Sequence, residues 1–262
     1  MSGVSYTTSG GVAELWLERP ESDNAFDGDL IKKMHWALGC AIGDPLARVI
    51  LLGGRGKNFC AGLDPEWLRA TAAHDEAACF EDARAIALLL RTIADSPLPT
   101  IARVTGSAIG LGAALVAACD FAVAAKGSVF SFPDVKAGLL PGVVSPHVIE
   151  KIGTARARRL FLLGERLDAK RALELGLISH VAKTAAQLDA AVRATIGELL
   201  TGGPSAMAAT KNLVRSVARD LEDKVKVDAA TARLVADRRV SGEGKEGIAA
   251  FLEKRKPKWA PQ

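Results

Sequence analysis

Thr100-Ile101-Ala102-Arg103-Val104-Thr105-Gly106-Ser107-Ala108-Ile109-Gly110-Leu111-Gly112-Ala113 decides the fold class: an apolar strand, a glycine loop and the opening of an apolar helix. Thr100 to Val104 is the strand, Gly106 to Gly112 the loop, and Ala113 to Ala118 the helix. The same layout stands upstream. Val49-Ile50-Leu51-Leu52 is wholly apolar, the mark of a strand buried on both faces. It ends in Gly53-Gly54-Arg55-Gly56, and the loop runs on through Phe59-Cys60-Ala61-Gly62-Leu63-Asp64. Strand, loop and helix in repeated order predict an α/β layer structure with parallel pairing.

The pattern continues outward from these segments. Val12 to Leu17 alternates with period two and predicts a strand, which Pro20 and Asn24 break before a helix over Leu30 to Ile42. Glu76 to Ala94 has helical spacing and stops at Ser96-Pro97-Leu98-Pro99, because proline lacks a donor and disfavours helix at the residue before it. Further strands are expected at Phe121 to Ala124 and Val129 to Phe132, then a loop over Pro133 to Pro146. From Ile149 the chain reads as helix, with Asp168 as an N-cap, Gly176 as a C-cap and a lone strand over Ile178 to Val181. Helices then run from Ala185 to the end.

Composition removes several function classes. Lys and Arg total 34 against 30 acids, interspersed rather than massed, and aromatics are 5%. A nucleic-acid binder would show a basic stripe with stacking aromatics, so that class is set aside. The small positive excess suits a ligand carrying phosphates. The longest uncharged run, Val104 to Cys119, falls short of the roughly 20 apolar residues a membrane helix needs. Residues 1–10 show no basic segment followed by an apolar one, so no secretory signal is expected. Cys40, Cys60, Cys79 and Cys119 form no CxxC pair and read as buried free thiols of a cytoplasmic protein.

The two glycine loops carry the chemistry. Glycine lets backbone approach a ligand closely and take positive φ, and a helix N-terminus presents unpaired N–H groups. Two such donors that converge would hold negative charge developing on a carbonyl oxygen. For either loop alone, tight packing is the competing reading. Gly110-Leu111-Gly112 also echoes a dinucleotide fingerprint, but the third glycine position is Leu115, too large for close helix–strand contact. There is no GxxxxGK[ST] loop, no GxSxG elbow and no cluster with metal-ligand spacing. Asp134, set after Phe132-Pro133 and before Val135, has the apolar company that suits a proton shuttle; a turn aspartate capping a backbone donor is the alternative.

Taken together, these residues resemble the crotonase superfamily, the enoyl-CoA hydratase/isomerase family. The resemblance rests on Leu17-Glu18-Arg19-Pro20 with Asn24-Ala25, Phe59 to Asp64, Pro99 to Ala102, Gly106 to Gly112 and Ala118-Cys119-Asp120. It continues through Phe132-Pro133-Asp134-Val135, Gly138, Pro141-Gly142, Gly164-Glu165-Arg166, Ala172, Gly176-Leu177 and Phe251 to Arg255. It implies an α/β crotonase fold of stacked ββα turns, with a core over 1–195 and a C-terminal helical region over 196–262 that assembles trimers or hexamers. It implies an acyl-coenzyme A substrate, with no separate cofactor and no metal. The Leu63 and Leu111 N–H groups are the implied oxyanion hole and Asp134 the implied acid–base group. Coenzyme A is expected along Ala61, Gly62, Leu63, Asp64, Pro65 and Glu66, near Ala25, Gly110 and Leu111, with Lys254 reaching a phosphate.

One departure matters. The family's two-carboxylate hydratases carry a glutamate where this chain has Ala114 and a longer acid where it has Asp134. The resemblance therefore leaves open a one-acid hydratase, an isomerase, or a non-catalytic acyl-CoA binder. Val143-Val144-Ser145-Pro146-His147 is similar to the methylglutaconyl-CoA hydratase-like branch. Asp120 and Asp64 read as structural and His147 as packing or surface, while His35, His74 and His180 have no partner evident in the sequence. Trp67 reads equally as a wall of the acyl site or as ordinary packing.

Overall fold

The structure, a computed structural model, describes residues 3–220 and 222–261. In chain order its strands are β1 (Gly3–Ser9), β2 (Val12–Glu18), β3 (Val49–Gly54), β4 (Thr100–Val104), β5 (Ser107–Ile109), β6 (Phe121–Ala125), β7 (Val129–Ser131), β8 (Leu167–Asp168) and β9 (His180–Ala182). The helices of the first half are α1 (Gly28–Gly43), α2 (Pro65–Thr71), α3 (Glu76–Ala94) and α4 (Leu111–Ala118). Then follow α5 (Ser145–Ile152), α6 (Thr154–Leu163), α7 (Ala169–Leu175), α8 (Ala185–Thr201), α9 (Pro204–Asp220), α10 (Lys224–Val240) and α11 (Gly242–Leu252).

A six-stranded sheet runs β1-β2-β3-β4-β6-β9, parallel throughout except for the β1–β2 hairpin. A smaller layer, β5-β7-β8, lies beside it, and single bridges of Cys60 with Ala108 and Phe26 with Leu63 extend that layer. Each turn of the chain thus gives one strand to the large sheet, one rung to the small layer and one helix: β3, Cys60 and α3; then β4, β5 and α4. Stacking these turns brings equivalent loops side by side. That adjacency builds the site.

The main core lies between the large sheet and α1, α3 and α4. α4 contains only Gly, Ala, Leu and Val, and every one of its residues is buried, as expected for a helix with no polar face. The sheet's other face packs Val49, Leu51, Ile101 and Val123 against Leu188 and Val192 of α8. The Arg48 guanidinium ties the tail to this body by donating to the carbonyls of Leu200, Gly202 and Trp259. No helix among the described residues is long and apolar enough to cross a membrane.

Several expectations need correction. β1 was not foreseen; Gly10 and Gly11, at φ 57° and 83°, supply the two positive-φ positions of a tight hairpin loop. The loop Gly106 to Gly112 contains β5, held by pairing with β7 rather than by any propensity of three residues. α2 begins right after Asp64, whose side chain accepts the Glu66 and Trp67 N–H groups, with Pro65 in the first turn. α5 starts at Ser145, four residues before the expected Ile149, because Pro146 is tolerated in a first turn. The last strand is displaced to His180–Ala182 and joins β6 in the sheet. All four thiols are free, but Cys79 is exposed and Cys40 half-buried, so only Cys60 and Cys119 are buried. His74 does have a partner: its Nδ1 lies 3.4 Å from Asp82.

Candidate active site

Planarity of the peptide decides where the Leu63 N–H points, since it is fixed opposite the Gly62 carbonyl in one rigid unit. That carbonyl accepts from Phe26 N–H at 2.8 Å, and the next peptide donates from Asp64 N–H to the Phe26 carbonyl at 2.9 Å. Both peptides flanking Leu63 are therefore held by one residue. Gly62 adopts φ 101°, which an L side chain rarely takes. The Leu63 N–H itself has no protein partner among the described residues.

Leu111 opens α4, so its N–H lacks an intrahelical acceptor. The preceding carbonyl, of Gly110, accepts from Ala114 N–H at 3.0 Å, which turns the Leu111 N–H out of the helix end. Gly110 stands at φ 52° and ψ −114°, and its own N–H donates to Ser131 at the end of β7. The two donor segments meet directly. Cys60 N–H donates to Ser107, Ile109 N–H donates to Cys60, and a Cβ on Gly62 would sit 3.0 Å from the Ile109 oxygen and 3.9 Å from the Leu111 nitrogen. Two unpaired donors on adjoining turns, one at a helix's positive end, can hold an oxyanion.

Asp134 begins a single 3-10 turn, Asp134–Ala137, three residues beyond the Ser131 that holds Gly110. Its main-chain oxygen closes the turn by accepting from Gly138 and Leu139. The side chain does not cap that turn: its Oδ2 is buried and has no hydrogen-bond partner among the described residues. An ordinary buried carboxylate oxygen is paired. An orphaned one is free to accept a proton from a bound molecule. Ala114, one turn into α4, is wholly buried and offers no polar atom.

Of the residues expected to line the site, Gly62, Leu63, Asp64, Gly110 and Leu111 are joined by these loop contacts, Ala61 N–H donates to the Asp23 carbonyl, and Ala25 directly precedes the Phe26 that pairs with Leu63. Pro65 and Glu66 are exposed at the start of α2. Lys254 is exposed just after α11 at φ 54° and shares no hydrogen bond or ion pair with the loops. Trp67 is half-buried and lines a cleft of about 660 Å³ with Arg19, Asp27, Lys32 and Asp64.

The loops are locked by residues whose role the sequence did not reveal. Asn24, fully buried at φ 57°, accepts from Arg19 N–H and donates to the carbonyls of Arg55 and Asn58. Asn58 accepts from Ser107 N–H and donates to Asp23, so the two asparagines fasten three loops together. The sequence marks Asn24 as a strand breaker and as part of the family motif, but neither signal names its partners.

A second cavity, about 470 Å³, lies at the far end of α4 beside Asp120, His147, Lys151 and Lys211. Its cations are already engaged: Lys151 donates to the carbonyls of Cys119 and Asp120, and Lys211 to Asp120 and the Leu98 carbonyl. Burial holds the Lys151 ammonium below its usual value and pushes the Cys60 and Cys119 thiols up to about 12, which leaves those thiols unreactive.

Residues 7–262 match the family described as enoyl-CoA hydratase/isomerase. The chain is 33% identical over 258 residues to the enoyl-CoA isomerase/hydratase of Mycosarcoma maydis, spanning 94% of this chain and 92% of that one. A solved enoyl-CoA hydratase from Shewanella pealeana matches with TM-score 0.94 and 38% identity, covering 98% of this chain and 96% of its own. An enoyl-CoA hydratase/isomerase structure from Marinobacter aquaeolei matches with TM-score 0.93 and 28% identity over 99% of both chains.

Proposed function

The chain belongs to the enoyl-CoA hydratase/isomerase family and has its crotonase fold, and on that footing we propose that it adds water to a 2-enoyl-coenzyme A thioester. The thioester oxygen accepts from the Leu63 and Leu111 N–H groups, which take up the charge that develops as the enolate forms. Asp134 draws a proton from water while the hydroxyl bonds to C3, and the same proton then passes to C2. One carboxylate suffices because the proton removed is the proton required. The observation that carries this reading is the buried, unpartnered Oδ2 of Asp134, three residues beyond the Ser131 that accepts from Gly110 N–H and so ties this segment to the loop carrying the Leu111 donor.

Coenzyme A lies along Ala61 to Glu66 and past Ala25, and no separate cofactor takes part. Self-assembly into trimers or hexamers through 196–262 is favoured by α9 and α10, which bury none of their residues and leave Val225, Leu234, Val235 and Val240 exposed. Such an assembly gives Lys254 a route to a coenzyme A phosphate. A soluble thioester substrate and four free thiols suit the reducing cytoplasm.

Ala114 supports a second reading. With no acid there, a single base moving a proton between carbons, as in an enoyl-CoA isomerase, is also served by this site. An absorbance assay with crotonyl-CoA, methylglutaconyl-CoA and 3-enoyl-CoA substrates separates the two. Wild type should hydrate a 2-enoyl thioester, and Asp134→Asn should lose on the order of 10²- to 10⁴-fold in kcat with coenzyme A affinity kept. Acyl-CoA binding without turnover of any of these would leave a non-catalytic binder.

A further inference from the structure

Arg19 follows β2, and its guanidinium reaches three groups on two other segments. One arm, Nη2, lies 3.2 Å from Asp64 Oδ2. The other, Nη1, donates to Asp27 Oδ2 at 2.5 Å and to the Ala25 carbonyl at 3.2 Å. Each of these acids already caps a helix with its remaining oxygen: Asp27 accepts from Leu30 N–H at the start of α1, and Asp64 from Glu66 N–H at the start of α2. Burial raises the Asp27 carboxyl, but the Leu30 N–H and Arg19 outweigh it, and the group sits below its usual value. The Arg19 side chain is about three-quarters buried, with an exposure of 24%.

Phe26 makes this arrangement consequential. It lies between Ala25 and Asp27, the two residues that Nη1 grips, and its backbone holds both peptides that flank Leu63. Asp64, on the other arm, is the residue after Leu63. Arg19 therefore clamps both sides of the short ladder that aims the Leu63 N–H. We propose that Arg19 is a positioning residue for this donor, setting the direction of the Leu63 N–H without touching the substrate. The proposal rests on the oxyanion reading of Leu63 and Leu111 given above, and it adds to that reading the residue that holds the geometry.

The fork is what matters. Only a planar guanidinium presents donors to both carboxylates and a carbonyl at once, whereas an ammonium is a single point. Arg19→Lys should keep the fold and the charge yet leave the donor loose. Arg19→Gln should keep some polarity and lose both arms. A 1 Å misplacement of a reacting group costs on the order of 100-fold in rate, so kcat is expected to fall about 10- to 100-fold in both variants. Affinity for free coenzyme A should stay within about threefold, because uniform binding is not what is lost.

The test uses the full-length protein and two readouts: steady-state kcat and KM with crotonyl-CoA, and the absorption of a bound dimethylaminocinnamoyl-CoA. That chromophore shifts to the red when its thioester carbonyl is polarised, with or without turnover. Wild type should produce the shift, and Arg19→Gln and Arg19→Lys should bind the chromophore with most of the shift gone. If Arg19→Gln fails to fold, Asp27→Asn carries the same readouts, since an amide oxygen still caps α1. The Arg19–Asp27 double variant should cost little more than either single change. Folded variants with wild-type kcat and shift overturn the role of Arg19 and leave the oxyanion reading intact. A loss confined to coenzyme A affinity also overturns it, because Arg19 would then be a ligand of the nucleotide. Wild type that binds the chromophore without any shift overturns the oxyanion reading, and the proposal with it.

Discussion

Replacing Gly112 with alanine probes the contact between the two donor segments. A Cβ at this position would lie 2.4 Å from the Cys60 carbonyl oxygen and 2.9 Å from the Cys60 Cβ. Ordinary contact begins at 3.4 Å, so the gap must open by 1.0 Å, the difference between the two distances. Cys60 has little room to yield, because its N–H and carbonyl are both paired to β5 at 3.0 Å. The displacement therefore falls on the start of α4, and with it on the Leu111 N–H. A donor moved 1 Å from an oxyanion no longer makes a normal hydrogen bond. Losing one such donor costs about 10²- to 10³-fold in kcat. Overpacking adds a stability loss of about 1 to 3 kcal/mol, small enough to leave a folded protein. Steady-state kinetics on crotonyl-CoA should show kcat reduced about 100-fold with KM changed far less, alongside a lowered Tm. A folded Gly112→Ala protein with kcat within threefold of wild type would refute the argument that this contact spaces the donors.

Two further outcomes are expected. Gly39 is exposed in α1 and a Cβ there meets nothing within 4 Å, so Gly39→Ala should raise stability by about 0.5 to 1 kcal/mol and leave kcat unchanged; an unmoved or lowered Tm contradicts this. Burial holds the His147 imidazole below its usual value, against the pull of Glu150 and Asp95 and with Arg215 nearby. Because the folded pKa is depressed, the unfolded chain takes up a proton first as pH falls below about 6.5, and stability drops from there. His147→Gln should flatten Tm between about pH 5 and pH 7, and an unchanged slope would remove His147 as its source.

How far the sequence carried depends on what each feature needs. α3 and β4 occupy the residues expected of them, Glu76–Ala94 and Thr100–Val104, since periodicity and the prolines between them act locally. β1 was missed although Gly10-Gly11 is a hairpin signal, because the alternation of Val4 and Tyr6 with serine and threonine is faint. β5 could not be foreseen, as three residues become a strand only when β7 and Cys60 lie alongside. The glycines before Leu63 and Leu111, together with family order, single out these two residues in the sequence, and Gly62 and Gly110 do take positive φ. The bond from Arg19 to Asp64 joins residues 45 apart, and no local pattern marks such a pair. The orphaned oxygen of Asp134 is a property of packing alone.

The two halves of the site are encoded differently, and this bears on how the chemistry can vary. A peptide N–H belongs to any residue, so leucine at 63 and 111 supplies a donor as well as another side chain would. What is constrained is the conformation before each: Gly62 at φ 101° and Gly110 at φ 52°, with Gly112 barred from a Cβ by Cys60. Proton transfer, by contrast, depends on side chains, and on the proposed reading it falls to a single aspartate, since Ala114 offers no polar atom. Substitution at 114 or 134 can then change the reaction without disturbing the hold on the thioester oxygen, whereas a β-carbon at 62 or 112 strikes that hold first. On the proposed reading, the hold on the thioester oxygen is therefore written into three glycines and the backbone around them, while the choice of reaction rests on the side chains at two positions.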